Sequence, residues 1–380
     1  MVPLTEDTPR LDVDGLLADP STRIIVCCGA GGVGKTTTAA ALGLRAAEVH
    51  GRRTVVLTID PARRLAQSMG LSELDNTPRQ VKGIDTESGG ELHAMMLDMK
   101  RTFDEVVQQH TTPQRAAEIF ANPFYQAMSS TFSGTQEYMA MEKLGQLRST
   151  DEWDLIVVDT PPSRSALDFL DAPARLSRFL DGRMLRMLLA PSRAGKSMFS
   201  LVTASFGLFS RAVQKILGAQ LLTDLSGFVA ALDSMFGGFR HRADETYRIL
   251  QDPQTAFLLV AAPERDAVRE AAYFAERLVA ERMPLAGLVL NRMHGSTVGE
   301  LSAERSEEAA TALTAAGDQA MTADALRVHA ALIRQAEREA RVAETFTGSF
   351  PAVPAVSVTA QPADVHDVDG LRTIGALLVS

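Results

Sequence analysis

Thiols are nearly missing from this sequence. Its 380 residues include two cysteines, Cys27 and Cys28, which are adjacent. Neighbours on a strand point to opposite faces, so the geometry disfavours a disulfide between them. No Cys-x-x-Cys occurs, so a structural zinc site or a disulfide framework has no support and a reducing cytosol fits. An excess of positive charge is missing too: 38 Lys and Arg stand against 47 Asp and Glu, a net charge of −9. That balance argues against binding nucleic acid through a general basic surface. The longest uncharged apolar stretch, Ser197 to Ser210 in "SMFSLVTASFGLFS", is shorter than the roughly 20 residues that span a bilayer. The opening "MVPLTEDTPRLDVDG" has no basic region followed by an apolar run, so it does not read as a signal peptide. The closing "GLRTIGALLVS" has one arginine, which is too little for a basic amphipathic membrane anchor. Internal repeats and low-complexity tracts are also absent from the sequence.

What is present is a globular composition, 46% hydrophobic and 22% charged. The length suits one large α/β domain with an insertion, or two domains. Short apolar runs recur: "RIIVCC" (23–28), "TVVLTID" (54–60), "ELHAMMLDM" near 92–97, "WDLIVVDT" with Asp159 at its end, "AFLLVAAP", "LAGLVLN" and "VPAVSV". Helical segments separate them. The pattern predicts a mostly parallel sheet flanked by helices.

Two stretches break the rhythm. Residues 100–150 and 172–250 lack strand runs and carry Met, Phe, Leu and Ala at helical spacing. The predicted organisation is a tail at 1–20 with room for one short helix, an α/β domain over 21–99, 151–171 and 251–380, and an all-helical subdomain over 100–150 and 172–250. Residues 299–345 read as a mixed-charge, solvent-facing helical hairpin.

"GAGGVGKTTT" follows the first strand run and precedes an Ala-rich helix. Gly29 to Thr36 fits Gly-x-x-x-x-Gly-Lys-[Ser/Thr], in the strand–loop–helix setting that makes the pattern specific for a P-loop NTPase. Gly29, Ala30, Gly31, Gly32, Val33 and Gly34, with Lys35, Thr36 and Thr37, are read as an ATP-binding run. Its amides face phosphates and the helix N-terminus favours negative charge. Lys35 is expected to reach the β- and γ-phosphates, and Thr36 to ligate Mg²⁺. A second Gly-Lys-Ser, at 195–197, has Ala190 where the first glycine belongs and no strand before it; it carries no site. Asp159, ending a strand, is placed to reach Mg²⁺. Asp60, ending another, is placed to orient or activate the attacking water.

With these residues assembled, the chain resembles the arsenite-pump and tail-anchored-protein-targeting ATPases, the ArsA-like branch of the dimerising P-loop ATPases. Its likeness is nearest to the actinobacterial anion-transporting ATPase members. The blocks that carry the resemblance are "GAGGVGKTTT", "TIDPARRLAQSMG", "DTPPSRSALDFL" and "VPAVSVTAQPADVHDVDGL", with "SGTQEYMAMEKL" in support. The resemblance implies a dimer, with itself or a paralogue, that closes on ATP and opens after hydrolysis. It implies that Asp60 is the catalytic switch I aspartate and Asp159 the switch II aspartate. It also implies that Asn291 reads adenine and that Pro362 and Ala363 flank the base. It further implies a membrane-protein client or a membrane transporter subunit as partner. The chain would then be cytoplasmic and touch a membrane only through that partner.

The sequence departs from the family pattern in three places. Ala30 stands where the family has a lysine that reaches across the dimer to the other subunit's phosphates; Arg63 or Arg64 are candidate substitutes. Arg164 and Ser165 stand where the switch II block has Gly and His. No cysteine cluster offers the thiolates that arsenite needs, and Cys27 and Cys28 belong to a buried strand. In the helical subdomain, Met128, Met139, Met141, Met184, Met187, Met198 and Met235 are candidates for an apolar client groove, and Met198–Phe209 for its lid. Three readings remain open: an ATPase handling membrane-protein clients or serving a transporter, a catalytically weak subunit of a paralogue pair, and a partition or positioning ATPase.

Overall fold

The computed structural model describes residues 8–60, 64–122, 125–126, 135–161, 241–242, 244–295, 301–317 and 319–380. Arg63, Arg164, Ser165, Met128, Met184, Met187, Met235 and the segment Met198–Phe209 lie outside them. The described residues fall into two compact units. One lies within Met1–Met96, Leu147–Leu167 and Ile249–Ser380, the other within Leu97–Gln146 and Asp168–Arg248.

The first unit is built on one eight-stranded sheet. In chain order its strands are β1 (Ile24–Cys28), β2 (Arg53–Thr58), β3 (Arg79–Gln80), β4 (Glu91–Met96), β5 (Leu155–Asp159), β6 (Thr255–Ala261), β7 (Leu285–Met293) and β8 (Ala355–Thr359). Their order in space is β3-β4-β2-β5-β1-β6-β7-β8. Every pairing is parallel except that of β3 with β4. The continuous apolar runs are explained by burial on both faces: every residue of β1, β5 and β6 is buried. β3 has no counterpart among the predicted runs, because two polar residues at a sheet edge leave no hydrophobic period to read. From β1 the chain fills the sheet in both directions, toward β5 and β2 on one side and β6 and β7 on the other. The C-terminal end of β1 is therefore the switch point where open α/β sheets form their crevice.

Helix α1 (Val13–Ala18) is capped by Asp12, whose carboxylate accepts from the Gly15 amide at 2.8 Å. Leu11, Val13 and Leu17 are buried in the same core as the sheet. Within residues 8–20, the segment carrying this short helix docks on the sheet through those three apolar side chains, too few among acidic ones to show a period in the sequence. Arg52 holds this segment to the sheet. Its guanidinium donates to the carbonyls of Leu17 (3.1 Å), Asp19 (3.2 Å) and Thr22 (2.6 Å), and to that of Asp154.

Helix α2 (Lys35–Glu48) is Ala-rich and largely buried, packing on β2 and β5. Arg45 near its C-terminus forks onto Asp14 with two bonds of 2.7 Å. That guanidinium, more than the neighbouring His50, draws the Asp14 carboxyl down to about 2. The short α3 (Arg64–Ser68) follows β2. At the opposite end of β5 from Asp159, the ring of Trp153 meets that of His93 edge-on, with centroids 4.9 Å apart.

In the second unit, α4 (Met99–His110) and α5 (Pro113–Ala121) are capped by Asp98 and Thr112. They are followed by α6 (Thr135–Ser149), which begins in this unit. Met139 and Met141 are completely buried. Of the methionines proposed for an open groove, these two are therefore interior residues, as helical spacing within a core demands. The interior also holds charge: Arg242 Nε donates to both oxygens of buried Glu142 at 3.0 Å, and Lys143 pairs with Glu105 at 3.1 Å.

Three more helices and one at the end complete the first unit: α7 (Arg265–Ala280), α8 (Ala303–Ala315), α9 (Ala320–Ser349) and α10 (Val368–Leu377). α8 and α9 pack together, and Arg334 pairs with Glu307 across them at 3.2 Å. No helix among the described residues is long and apolar enough to cross a membrane.

Candidate functional site

The loop from Gly29 to Gly34 leaves the buried end of β1 and turns directly into α2. Two of its glycines are sterically required. A Cβ on Gly29 would sit 2.0 Å from the Val260 carbonyl oxygen of β6. Gly34 caps α2 in the left-handed region at φ 98°, and a Cβ there would meet Asn291 Nδ2 at 2.1 Å. Lys35 lies in the first turn of α2 and curls back, its Nζ donating to the Ala30 carbonyl at 2.8 Å. Ala30 itself is buried. The lysine is mostly enclosed. Burial pulls its ammonium below the usual range, against the opposing pull of Asp159 and Asp60.

Asp159 ends β5 beneath this loop and is fully buried. Its Oδ2 accepts two hydroxyl bonds, from Thr36 at 2.7 Å and from Thr58 at 2.8 Å. Its Oδ1 is buried with no hydrogen-bond partner. Burial pushes the carboxyl up to about 6, although Thr36, Thr58 and Lys35 each favour the ionised form. A buried carboxylate oxygen left unpaired is costly and calls for a ligand. The unpaired Oδ1 and the adjacent Thr36 hydroxyl are hard oxygen donors. They fit Mg²⁺, which is ordinarily held by one or two carboxylates together with phosphate oxygens and water.

Thr58 was not among the candidates read from the sequence. Its single hydroxyl proton goes to Asp159, and its Oγ1 accepts from the Asp60 amide at 3.2 Å. It thereby ties the ends of β2 and β5 together. The only local signal was a polar residue in the last buried position of a strand. Thr160, also unforeseen, donates its hydroxyl to the Cys27 carbonyl at 2.8 Å and anchors β5 to the root of the loop. Cys27 and Cys28 are buried free thiols, and burial pushes that of Cys28 up to about 12. They are not poised as thiolates.

The structure brings Gly29 through Thr37, Asp60 and Asp159 to the C-terminal ends of the neighbouring strands β1, β2 and β5, and Asn291 to the same end of the sheet from β7, one strand beyond β6. Asn291 lies near the end of β7 and is nearly buried. Its Nδ2 donates to the Val33 carbonyl at 2.9 Å, so it braces the loop directly. Pro362 and Ala363 follow β8 and are exposed in a bend of the chain. No bond recorded among the described residues joins them to the loop.

Residues 22–314 match the family model of the anion-transporting ATPases, well over half of the chain. The chain belongs to the anion-transporting ATPase family. Within this family member, the matched range contains the loop, Asp60, Asp159 and Asn291, while Pro362 and Ala363 lie beyond it. Among curated relatives, "ATPase GET3" of Malassezia globosa is 29% identical over 175 residues, 46% of this chain and 50% of that one. A "Putative arsenical pump-driving ATPase" of Prosthecochloris vibrioformis is 31% identical over 162 residues, 41% of this chain and 36% of that one. "ATPase ASNA1 homolog 2" of Paramecium tetraurelia is 25% identical over 286 residues, 73% of this chain and 78% of that one. This anion-transporting ATPase family member thus spans half or less of the length of the first two relatives in these matches.

Proposed function

We propose that the chain is an ATPase: it binds Mg·ATP on the Gly29–Thr37 loop and hydrolyses it to ADP and phosphate. The observation that carries this reading is Asp159, a buried carboxylate with one unpartnered oxygen, sharing its other oxygen with the Thr36 hydroxyl at the foot of the loop. Lys35 is within its own length of the loop and exchanges the Ala30 carbonyl for β- and γ-phosphate oxygens. Thr36 and Asp159 hold Mg²⁺, which when bound neutralises charge on those oxygens. Asp60 orients the attacking water and accepts its proton. Asn291, with Pro362 and Ala363, receives the adenine.

The chain acts as a dimer, with itself or a paralogue, and the γ-phosphate governs opening and closing. The helical unit passes that movement to a membrane-protein client or a transporter partner. The relatives' names, among them a putative arsenical pump-driving ATPase, support this setting. Calorimetry tests the base of the reading: Mg·ATP binds, EDTA weakens the binding, and Asp60→Asn binds as tightly as wild type but releases phosphate far more slowly. No affinity of the wild-type chain for Mg·ATP would sink the proposal.

One observation favours a second reading. Ala30 cannot supply the charge that the family's lysine carries across the dimer. Loss of such a charge costs about 10³–10⁵ in rate, so this chain alone would be a slow partner of a lysine-bearing paralogue.

A further inference from the structure

The end of β7 departs from regular strand geometry. Its register against β8 shifts between Leu290 and Met293. Arg292 adopts φ 62°, in the left-handed region that a residue carrying a Cβ enters only at a cost. Bulges of this type re-aim side chains next to functional sites. Here the re-aimed side chain is Asn291. Its Oδ1 accepts from the Arg292 amide at 3.0 Å, which turns Nδ2 toward the Val33 carbonyl at 2.9 Å. The orientation of the carboxamide therefore depends on where the bulge places one N–H.

Something must hold that bulge, and α9 does. Glu339 is a nearly buried carboxylate on the inward face of the helix. It accepts from the His294 amide at 2.7 Å through Oε2 and from His294 Nδ1 at 2.8 Å through Oε1. Gln335 Nε2 also donates to Oε1, at 2.9 Å. Gln335 Nε2 lies 3.0 Å from His294 Nδ1 as well, but a ring nitrogen that donates to Glu339 cannot also accept from Gln335. The charge-assisted bond is the stronger of the two and keeps the proton on Nδ1. His294, three residues past Asn291 and just beyond the bulge, is thus held by both oxygens of one buried acid, its main-chain amide by Oε2 and its ring by Oε1.

We propose that Glu339 is a positioning residue for the nucleotide site: through His294 it fixes the β7 bulge that aims Asn291 at the phosphate loop. This inference rests on the Mg·ATP reading above and extends it to a helix that contributes no residue to the loop itself. It makes α9 a support for the loop, so that a change at residue 339 is felt at residue 33.

A double-mutant cycle in the full chain tests it, read by calorimetry with Mg·ATP and by thermal unfolding in parallel. Glu339→Ala and Asn291→Ala each weaken Mg·ATP binding about tenfold, and the double variant is no weaker than the worse single one. Glu339→Gln keeps a carbonyl oxygen for the His294 amide and recovers most of the affinity. A role in stability alone would lower the unfolding midpoint and leave the affinity of the Glu339 variants for Mg·ATP at the wild-type value. If Glu339→Ala does not fold, His294→Ala, which removes the ring bond and leaves the backbone clamp, is read in the same cycle and gives a smaller, equally non-additive loss. Wild-type affinity in the Glu339 and His294 variants, or additive losses with Asn291→Ala, would overturn the inference. Absence of Mg·ATP binding by the wild-type chain would instead overturn the reading beneath it.

Discussion

At neutral pH Asp159 keeps a negative charge where water does not reach. Its carboxyl is pushed from the usual 3.8 to about 6 by burial. A carboxyl raised in this way contributes stability that is fully present below its unfolded value, and that contribution is lost as pH rises through about 6. The shift corresponds to a cost on the order of 3 kcal/mol at pH 7.5 without bound cation. Asp159→Asn removes the charge while keeping an acceptor for Thr36 and Thr58. The variant is expected to be more resistant to urea than wild type at pH 7.5 by an amount of that order. The gain shrinks as pH falls below 6, and affinity for Mg·ATP drops sharply. Denaturation curves at several pH values, with calorimetry beside them, check both halves. Equal stability at pH 7.5 would mean that the burial of Asp159 carries no such penalty. The local pattern around residue 29 and the strand-end acids could be read from the sequence because loop, lysine and threonine are contiguous. Thr58 and the Asn291–Val33 contact could not: their partners lie 101 and 258 positions away in the chain.

Among the elements, Arg52 shows how a single side chain can join several. It sits at the N-terminal end of β2 and donates to four carbonyls from the α1 segment and the turn before β5. Arg52→Ala removes a donor from all four, and the two buried carbonyls, those of Leu17 and Thr22, lose the guanidinium that pairs with them; the change should lower stability by about 3 kcal/mol. Arg53→Ala is the control. Its pair with Asp154 is half exposed and should cost less than about 1 kcal/mol. Urea midpoints compare the two. Seven strands were visible as apolar runs because central parallel strands are buried on both faces. The docking of residues 8–20 was not visible, since it depends on Arg52 and on Leu11, Val13 and Leu17 meeting a surface formed by distant segments. β3 escaped for the opposite reason, being short, polar and at an edge.

For the whole molecule, the question is whether two copies suffice. Ala30 offers no charge to a second subunit. If the family's cross-subunit lysine is what this chain lacks, Ala30→Lys should raise steady-state phosphate release of the purified chain by about 10³-fold or more. If the chain dimerises on ATP as proposed, light scattering should show that dimer both before and after the change. An unchanged rate in a dimer that still forms would mean that Ala30 is no mark of lost activity and that the charge comes from elsewhere. The family match runs across both units, so this test addresses the chain as a whole.

The chain has one tryptophan, and its placement has an optical consequence. Trp153 stacks edge-on against His93 two residues before β5, about 20 Å of extended strand away from Asp159. Its emission therefore reports on the floor of the sheet and is quenched or released with that floor. Ligand chemistry at the other end of the strand reaches it only if the strand itself moves, which makes the intrinsic fluorescence of this protein a gauge of global change with little direct response to occupancy.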